Sequence, residues 1–531
     1  MNRFFFTLAL LALVSFSTFA QSAEVIQGAQ KFERFLDFID DKYLEEVDLD
    51  KAVEDAIKQV LEDLDPHSNY FSAEDLRKAN EPLVGNFEGI GIQFNILKDT
   101  ILVVSTISGG PSEKVGLMAG DKILTVDEEP VAGIGIKNKG VMDLLRGKKG
   151  TKVTVGVMRN SRKGKTLDFT ITRDKIPLFS VDAGYMIDES TGYIKINRFS
   201  STTVREFREA LVDLKASGME ELILDLRGNS GGYLNAALEL SNEFLDGRKL
   251  ITYTEGRAYP RQDFYTDNYG GWTNGRLVVL INEGSASASE IVTGAVQDWD
   301  RGLVIGRRSF GKGLVQRPFM LPDESAIRLT VQRYYTPSGR SIQRSYEEGA
   351  EDYYLENSRR LESGELTGDS DIEFPDSLKF YTNARRVVYG GGGIMPDIFM
   401  ALDTSFVSDF YDEVIGKGIL NQFGLEYINK NREAFKEIYA SSTDFAANYE
   451  VDKTTWKEFI AYAKEEGLSE DVEGEDVSRD RVEMIMRAIF ARNLWNTEAY
   501  FKVINREDET MLKAFNSFRD DTFDRMKIAA K

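Results

Sequence analysis

The chain has 531 residues, too many for a single hydrophobic core, so about three or four domains are expected. Its composition, 42% hydrophobic and 11% aromatic, is that of folded globular protein and excludes wholesale disorder. The formal charge of −21 makes nucleic acid a poor partner, the absence of cysteine removes disulfides, thiol nucleophiles and thiolate metal sites, and a single histidine, His67, excludes a His-rich zinc site.

Residues 1–20 run from Met1-Asn2-Arg3 through the apolar stretch Phe4 to Val14 to Thr18-Phe19-Ala20. That pattern predicts a signal peptide cleaved after Ala20, with an uncleaved anchor as the alternative. Cleavage changes the formal charge from −21 to −22, because Arg3 is the only charged residue removed. From 24 to 84 the apolar residues Phe32, Phe35, Leu36 and Ile39, then Ala52, Ala56, Ile57, Val60 and Leu61, recur at helical spacing. Leu64-Asp65-Pro66-His67 breaks that pattern, and Ser72-Ala73-Glu74-Asp75 reads as a capping box opening another helix.

Residues 85–176 change texture to short β-like runs punctuated by glycine, such as Ile101 to Val104, Lys122 to Val126 and Lys152 to Val157, with one helix over Gly140 to Leu145. Strands and helices then alternate over 177–400: Glu221 to Leu226 and Leu277 to Ile281 read as buried strands, Ala236 to Leu245 and Ile291 to Asp298 as helices. Such alternation implies an α/β layer with a mainly parallel sheet. Polar, acidic residues 345–386 read as an insertion or long surface loop. Residues 401–531 are helical again, with apolar stripes at Trp456, Phe459, Ile460 and Tyr462 and at Val482, Ile485, Met486, Ile489 and Phe490 that read as helix packing.

Four segments carry candidate chemistry. Asn282-Glu283-Gly284-Ser285-Ala286-Ser287-Ala288-Ser289-Glu290 joins a strand to a helix, and a serine there lies in the positive field of a helix N-terminus with free N–H groups nearby. Serines at helix starts are usually caps, so this segment alone is weak. Phe310-Gly311-Lys312-Gly313-Leu314-Val315-Gln316 holds a lysine between two glycines, where it can lie tight against backbone. A lysine base must lose its proton near neutrality, so its pKa must fall well below about 10.4. Gln316 offers an uncharged acceptor to orient the amine without stabilising its charged form. Asp225-Leu226-Arg227-Gly228-Asn229-Ser230-Gly231-Gly232 ends a buried strand in a glycine loop that can supply an oxyanion donor; a phosphate-binding reading is weaker, because no Gly-Lys-Ser/Thr ending follows. Phe87-Glu88-Gly89-Ile90-Gly91-Ile92 offers converging N–H groups for a carboxylate and a strand edge for an extended peptide. With Gly116 to Asp127 it completes a pattern similar to PDZ domains.

Together these segments, with Leu64 to Ser68 and Arg333 to Gln343, resemble the carboxyl-terminal processing peptidases, also called tail-specific proteases, over about residues 30 to 400. The resemblance implies a multidomain α/β chain: a crotonase-like ββα protease domain, an inserted or preceding PDZ-like domain, and helical N- and C-terminal regions. It implies Ser287 as nucleophile, Lys312 as base, Gln316 as its partner, and an oxyanion hole from the Ala288 N–H and one of Gly231 and Gly232. Gly89, Ile90, Gly91 and Ile92 would grip the substrate tail, and Asp298 would be structural support. No cofactor and no metal is implied.

The expected function is an exported, periplasmic or envelope-associated serine endopeptidase acting near the free C-termini of protein or peptide substrates through an acyl-enzyme. A homo-oligomer and an envelope adaptor protein are compatible with that reading. One alternative is a PDZ-bearing tail-binding adaptor whose protease-like domain is inactive. Another uses His67 as base, and is disfavoured because His67 lies in a turn between helices. One departure from the family pattern stands out: Gly393-Ile394-Met395-Pro396-Asp397 follows Ile342-Gln343 only after about fifty residues, and the intervening insertion is expected to touch none of the catalytic positions.

Overall fold

The computed structural model describes residues 22–107, 109–159, 166–267, 269–368 and 374–528; the expected signal peptide, 1–20, lies outside them. The described residues form two compact units, divided between Tyr70 and Phe71. In the first, the helices Ala23–Lys42 and Leu49–Leu64 are capped by Ser22 and Asp48, whose side chains accept from the N–H groups of Val25 and Lys51. The Asp65 carboxylate then accepts the N–H groups of His67 and Ser68 (2.8 and 2.9 Å) and the Ser68 hydroxyl (2.7 Å), which closes the turn around His67.

The second unit begins with the helix Ala73–Val84, and its cap Ser72 accepts from the Asp75 N–H at 3.1 Å, as a capping box requires. Asn86–Gly89 pairs antiparallel with Asp174–Pro177, so the β-rich module enters and leaves through one two-stranded ribbon. Its main sheet runs Ile92–Leu97, Thr100–Thr106, Lys122–Val126, Lys152–Met158, Thr166–Thr172, which leaves Ile92–Leu97 at an edge. The helix Asn138–Leu145 starts two residues before the expected one and buries Val141 and Leu145 in the same core as Ile90, Ile101 and Val155.

The following sheet has the order Val181–Met186, Thr191–Ile196, Glu221–Asp225, Arg276–Ile281, Leu303–Gly306, Ile398–Phe399; the first pair is antiparallel and the rest are parallel. One face buries Ile194, Leu222, Leu224 and Val279 against the helices Thr203–Ala216, Leu234–Phe244 and Ala288–Asp298. The opposite face buries Tyr193, Ile223, Val278 and Leu280 against Met511, Phe518 and Phe523 of the chain's last helices. Both faces being covered is why these strands read as unbroken apolar runs. Between them, the two apolar stripes of 401–531 contribute Trp456, Phe459, Val482, Met486, Ile489 and Phe490 to one helical core.

The segment 345–386 differs from its reading as a loop. It contains the helix Ala350–Glu362 and the strand Lys379–Tyr381, which pairs antiparallel with Val387–Tyr389 just beyond it. Its polar composition conceals a packed element, because Tyr353 and Arg360 are buried and the arginine is neutralised by Glu365 at 2.8 Å.

Candidate active site

The strand Arg276–Ile281 leads through Asn282 to Ala286 into a turn at Ser287, where the helix Ala288–Asp298 begins. Ser287 has φ 54° and ψ −110°, a conformation that costs a side-chain-bearing residue about 1–3 kcal/mol and that persists only where its surroundings impose it. Here the Ser287 N–H donates to Glu290 Oε2 (2.7 Å), and its carbonyl accepts from the Glu290 N–H (2.9 Å) and the Tyr334 hydroxyl (3.0 Å). Burial raises the Tyr334 phenol well above its ordinary pKa, which keeps it a donor.

The neighbouring serines are occupied differently. Ser285 and Ser289 are fully buried, their hydroxyls donating to the carbonyls of Leu226 and Asn229 at 2.8 Å each, whereas Ser287 is half-buried. Ser285 and Ser289 hold the turn together; Ser287 faces partly outward.

Glu290 ties the serine segment to the lysine segment. Its Oε1 accepts from the Ser309 hydroxyl (2.6 Å) and the Gly311 N–H (2.7 Å), and its Oε2 accepts the N–H groups of both Ser287 (2.7 Å) and Lys312 (2.9 Å). The Tyr334 hydroxyl is bonded to the Lys312 carbonyl as well as to that of Ser287. Glu290 is fully buried, and burial raises its carboxyl to about 7 against the opposing effect of the bonds it accepts. As the third helical residue after a serine cap, it reads in the sequence as an ordinary capping-box glutamate, which hides this second task.

The glycines beside Lys312 are close-packed, as expected. Gly311 has φ 89°, and a Cβ there would lie 3.0 Å from the Gly393 nitrogen; a Cβ on Gly313 would lie 2.9 Å from the Gln343 nitrogen. Gln316 is half-buried on the strand Leu314–Met320, and its Nε2 donates to Thr330 Oγ1 of the adjacent strand at 3.4 Å.

The loop after Glu221–Asp225 also reaches Ser287. A Cβ on Gly231, whose φ is 102°, would meet the Ser287 Cβ at 2.8 Å and the Ala288 nitrogen at 3.0 Å. The Gly231 N–H is already given to Asn229 Oδ1 (2.9 Å), and buried Asn229 also accepts the Ala286 N–H on its carbonyl (3.0 Å). At the base of the loop, burial alone would raise Asp225, but Arg227 and Lys195 hold its carboxyl well below the usual range. Arg227 also reaches Asp508 at 2.7 Å, so the last helices are tied to this loop. Asp298 accepts from Arg340 (2.8 Å) and the Ser338 N–H (2.9 Å), a structural role. Gly89 ends the strand Asn86–Gly89, Ile92 begins the β-rich module's edge strand, and Ile90 and Gly91 join them, with the Ile90 carbonyl accepting the Ser112 hydroxyl (2.7 Å) and Gly91 at φ 76°.

The insertion bonds the loop that leads into Lys312, at Arg308 and Phe310, which are not among the expected catalytic positions. Arg360 donates to the Arg308 carbonyl (2.8 Å), the Arg344 guanidinium lies 3.9 Å from the ring centres of both Phe310 and Tyr353, and Arg308 pairs with Glu365 (2.7 Å). Gly393 and Ile394, beyond the insertion, return to the same place: the Gly393 N–H donates to the Ile342 carbonyl (2.8 Å) and the Ile394 N–H to Ser309 Oγ (2.6 Å). Arg360→Ala is therefore expected to cost roughly 3 kcal/mol, as for one broken buried ion pair, and to lower kcat with KM nearly unchanged, with Arg360→Lys partly restoring both. Thermal melts and steady-state kinetics on a peptide substrate check this.

Among the described residues no group of three or more His, Cys, Asp and Glu side chains is placed to hold a metal, and no helix is long and apolar enough to cross a membrane. Residues 190–351 match Peptidase family S41, residues 89–175 match the PDZ domain family, and residues 410–496 match a family of unknown function. The chain is 34% identical over 344 residues to a carboxy-terminal-processing protease of Bartonella bacilliformis, covering 64% of this chain and 78% of that protein. It is 37% identical over 319 residues to the carboxy-terminal processing protease CtpA of Bacillus subtilis, covering 59% and 67%. A strained serine at a strand–helix junction, bound through one buried carboxylate to a glycine-flanked lysine and preceded by a PDZ domain, thus sits in a chain that belongs to the carboxy-terminal processing proteases, the serine-type peptidases of family S41.

Proposed function

We propose that the protein is an exported endopeptidase that captures the free C-terminal tail of a protein substrate in its PDZ domain and cleaves near that tail with a Ser287/Lys312 dyad. The observation that carries this reading is the single oxygen of Glu290 that takes the N–H groups of both residues. The neutral amine of Lys312 takes the Ser287 Oγ proton as Oγ bonds to the scissile carbonyl carbon, and the carbonyl π pair moves onto oxygen. The oxyanion is held by the N–H groups of Ala288 and of the Gly231-Gly232 pair; because the Gly231 N–H already serves Asn229, Gly232 is the donor we favour. Collapse breaks the C–N bond, Lys312 gives its proton to the leaving amine, and water activated by Lys312 then releases the acyl group. Gln316 orients the Lys312 amine, and the N–H groups of Gly89, Ile90, Gly91 and Ile92 receive the tail carboxylate. The division proposed for this work is a helical region over 24–84, the PDZ domain over 85–176, the protease domain over 177–400 and the helical region over 401–531.

Incubation with a peptide β-lactone followed by intact-mass and peptide mapping tests the acyl-enzyme: one adduct is expected, on Ser287, absent from Ser287→Ala. An adduct on another serine would overturn the assignment. Gly231→Ala tests the loop. A methyl there has no room beside Ser287, so activity is expected to fall at least about 100-fold, the scale of a lost oxyanion donor, with the enzyme still folded by circular dichroism.

A further inference from the structure

The edge strand Ile92–Leu97 and the helix Asn138–Leu145 flank the groove of the PDZ domain, with Ile92, Phe94 and Ile96 packed on its core. A tail added antiparallel to that edge places its carboxylate at Gly89 to Ile92 and runs backwards along the strand. At about 3.3 Å per residue, the strand's six residues carry it roughly 20 Å, so the sixth or so residue from the tail's end arrives at Leu97. A cavity of about 430 Å³ lies between Asn95, Leu97 and Ile136 of the PDZ domain and Asn421, Gln422 and Leu425 of the helix Ile419–Ile438. Beside it, Lys98 pairs with Glu466 of the same helical region at 3.2 Å.

We propose that this cavity is an upstream subsite for the substrate tail, built half by the PDZ domain and half by the helical region 410–496. It takes extended peptide about six to eight residues from the free C-terminus: the Asn421 and Gln422 amides meet its backbone, and Leu97, Ile136 and Leu425 meet an apolar side chain. The inference rests on the tail-capture reading above, and it makes the helical region a specificity element for tail length and upstream sequence.

The test uses the full chain carrying Ser287→Ala, so that bound peptide is not cleaved, and fluorescence anisotropy with three fluorescein-labelled probes. These are an octapeptide alternating Leu and Ser and ending in a free Val carboxylate, the octapeptide as its C-terminal amide, and its last four residues as the free acid. The octapeptide acid is expected to bind about tenfold more tightly than the tetrapeptide acid, the equivalent of one or two added hydrogen bonds and an apolar contact. Asn421→Ala with Gln422→Ala, or Gln422→Trp filling the cavity, should bring the octapeptide to tetrapeptide affinity and leave the tetrapeptide unchanged. Acid preferred over amide, with no length dependence or one that both variants leave intact, overturns the subsite alone. Equal binding of acid and amide overturns the tail-capture reading on which it rests.

Discussion

Ser287→Ala and Lys312→Ala are each expected to remove nearly all peptidase activity, lowering kcat on the order of 10⁴-fold or more, with little change in unfolding temperature. The N–H and carbonyl groups of Ser287 and Lys312 bond to Glu290 and Tyr334, and these contacts survive truncation at Cβ. Ser285→Ala and Ser289→Ala should show the opposite profile. Each deletes a buried hydroxyl that donates to a loop carbonyl; the carbonyls keep the N–H groups of Asn229 and Ala286 as donors, so the cost is that of one hydrogen bond, about 0.5–1.5 kcal/mol, and stability falls modestly while folded enzyme stays active. Steady-state kinetics and thermal melts of the four variants check the set, and substantial turnover by Lys312→Ala would sink the dyad.

Glu290→Ala should be almost as damaging to turnover, and destabilising besides. It removes the acceptor of three backbone N–H groups and the Ser309 hydroxyl, all in a buried site, at about 1–3 kcal/mol for each group left unsatisfied. Glu290→Gln keeps the shape, but its amide nitrogen must face two donors, so intermediate activity is expected. The pH dependence separates this role from general packing. Since burial raises the folded-state carboxyl to about 7 from an ordinary value near 4.5, its contribution to stability is fully present below about pH 4.5 and lost as pH rises through about 7. Activity moves the other way, because only the ionised carboxylate accepts all four donors. The native enzyme should therefore lose activity as pH falls through about 7, and Glu290→Gln should lack both this acid limb and the stability change. A limb unaltered in Glu290→Gln would show that another group titrates there.

Much of the site is legible in one dimension because its chemistry is contiguous. Ser285 to Glu290, Phe310 to Gln316 and Asp225 to Gly232 are short segments whose residue types match a task, and the strands around them announce themselves as apolar runs bounded by glycine. The helices at both ends follow from periodicity and caps, as at Ser72.

What the segments do to one another depends on contacts between residues far apart in the chain. Glu290 carries a local signal for a helix cap, and only folding brings Gly311 and Lys312 onto its carboxylate. The segment 345–386 reads as an insertion or long surface loop because its composition is polar and acidic; Arg360 is buried there only because it pairs with Glu365, which pairs in turn with Arg308 of the neighbouring loop. In the same way, Ile223 and Val278 lie in runs recognisably buried from the sequence, but that Met511, Phe518 and Phe523 cover them is decided by tertiary packing, since an apolar run states that a strand is buried without naming what buries it.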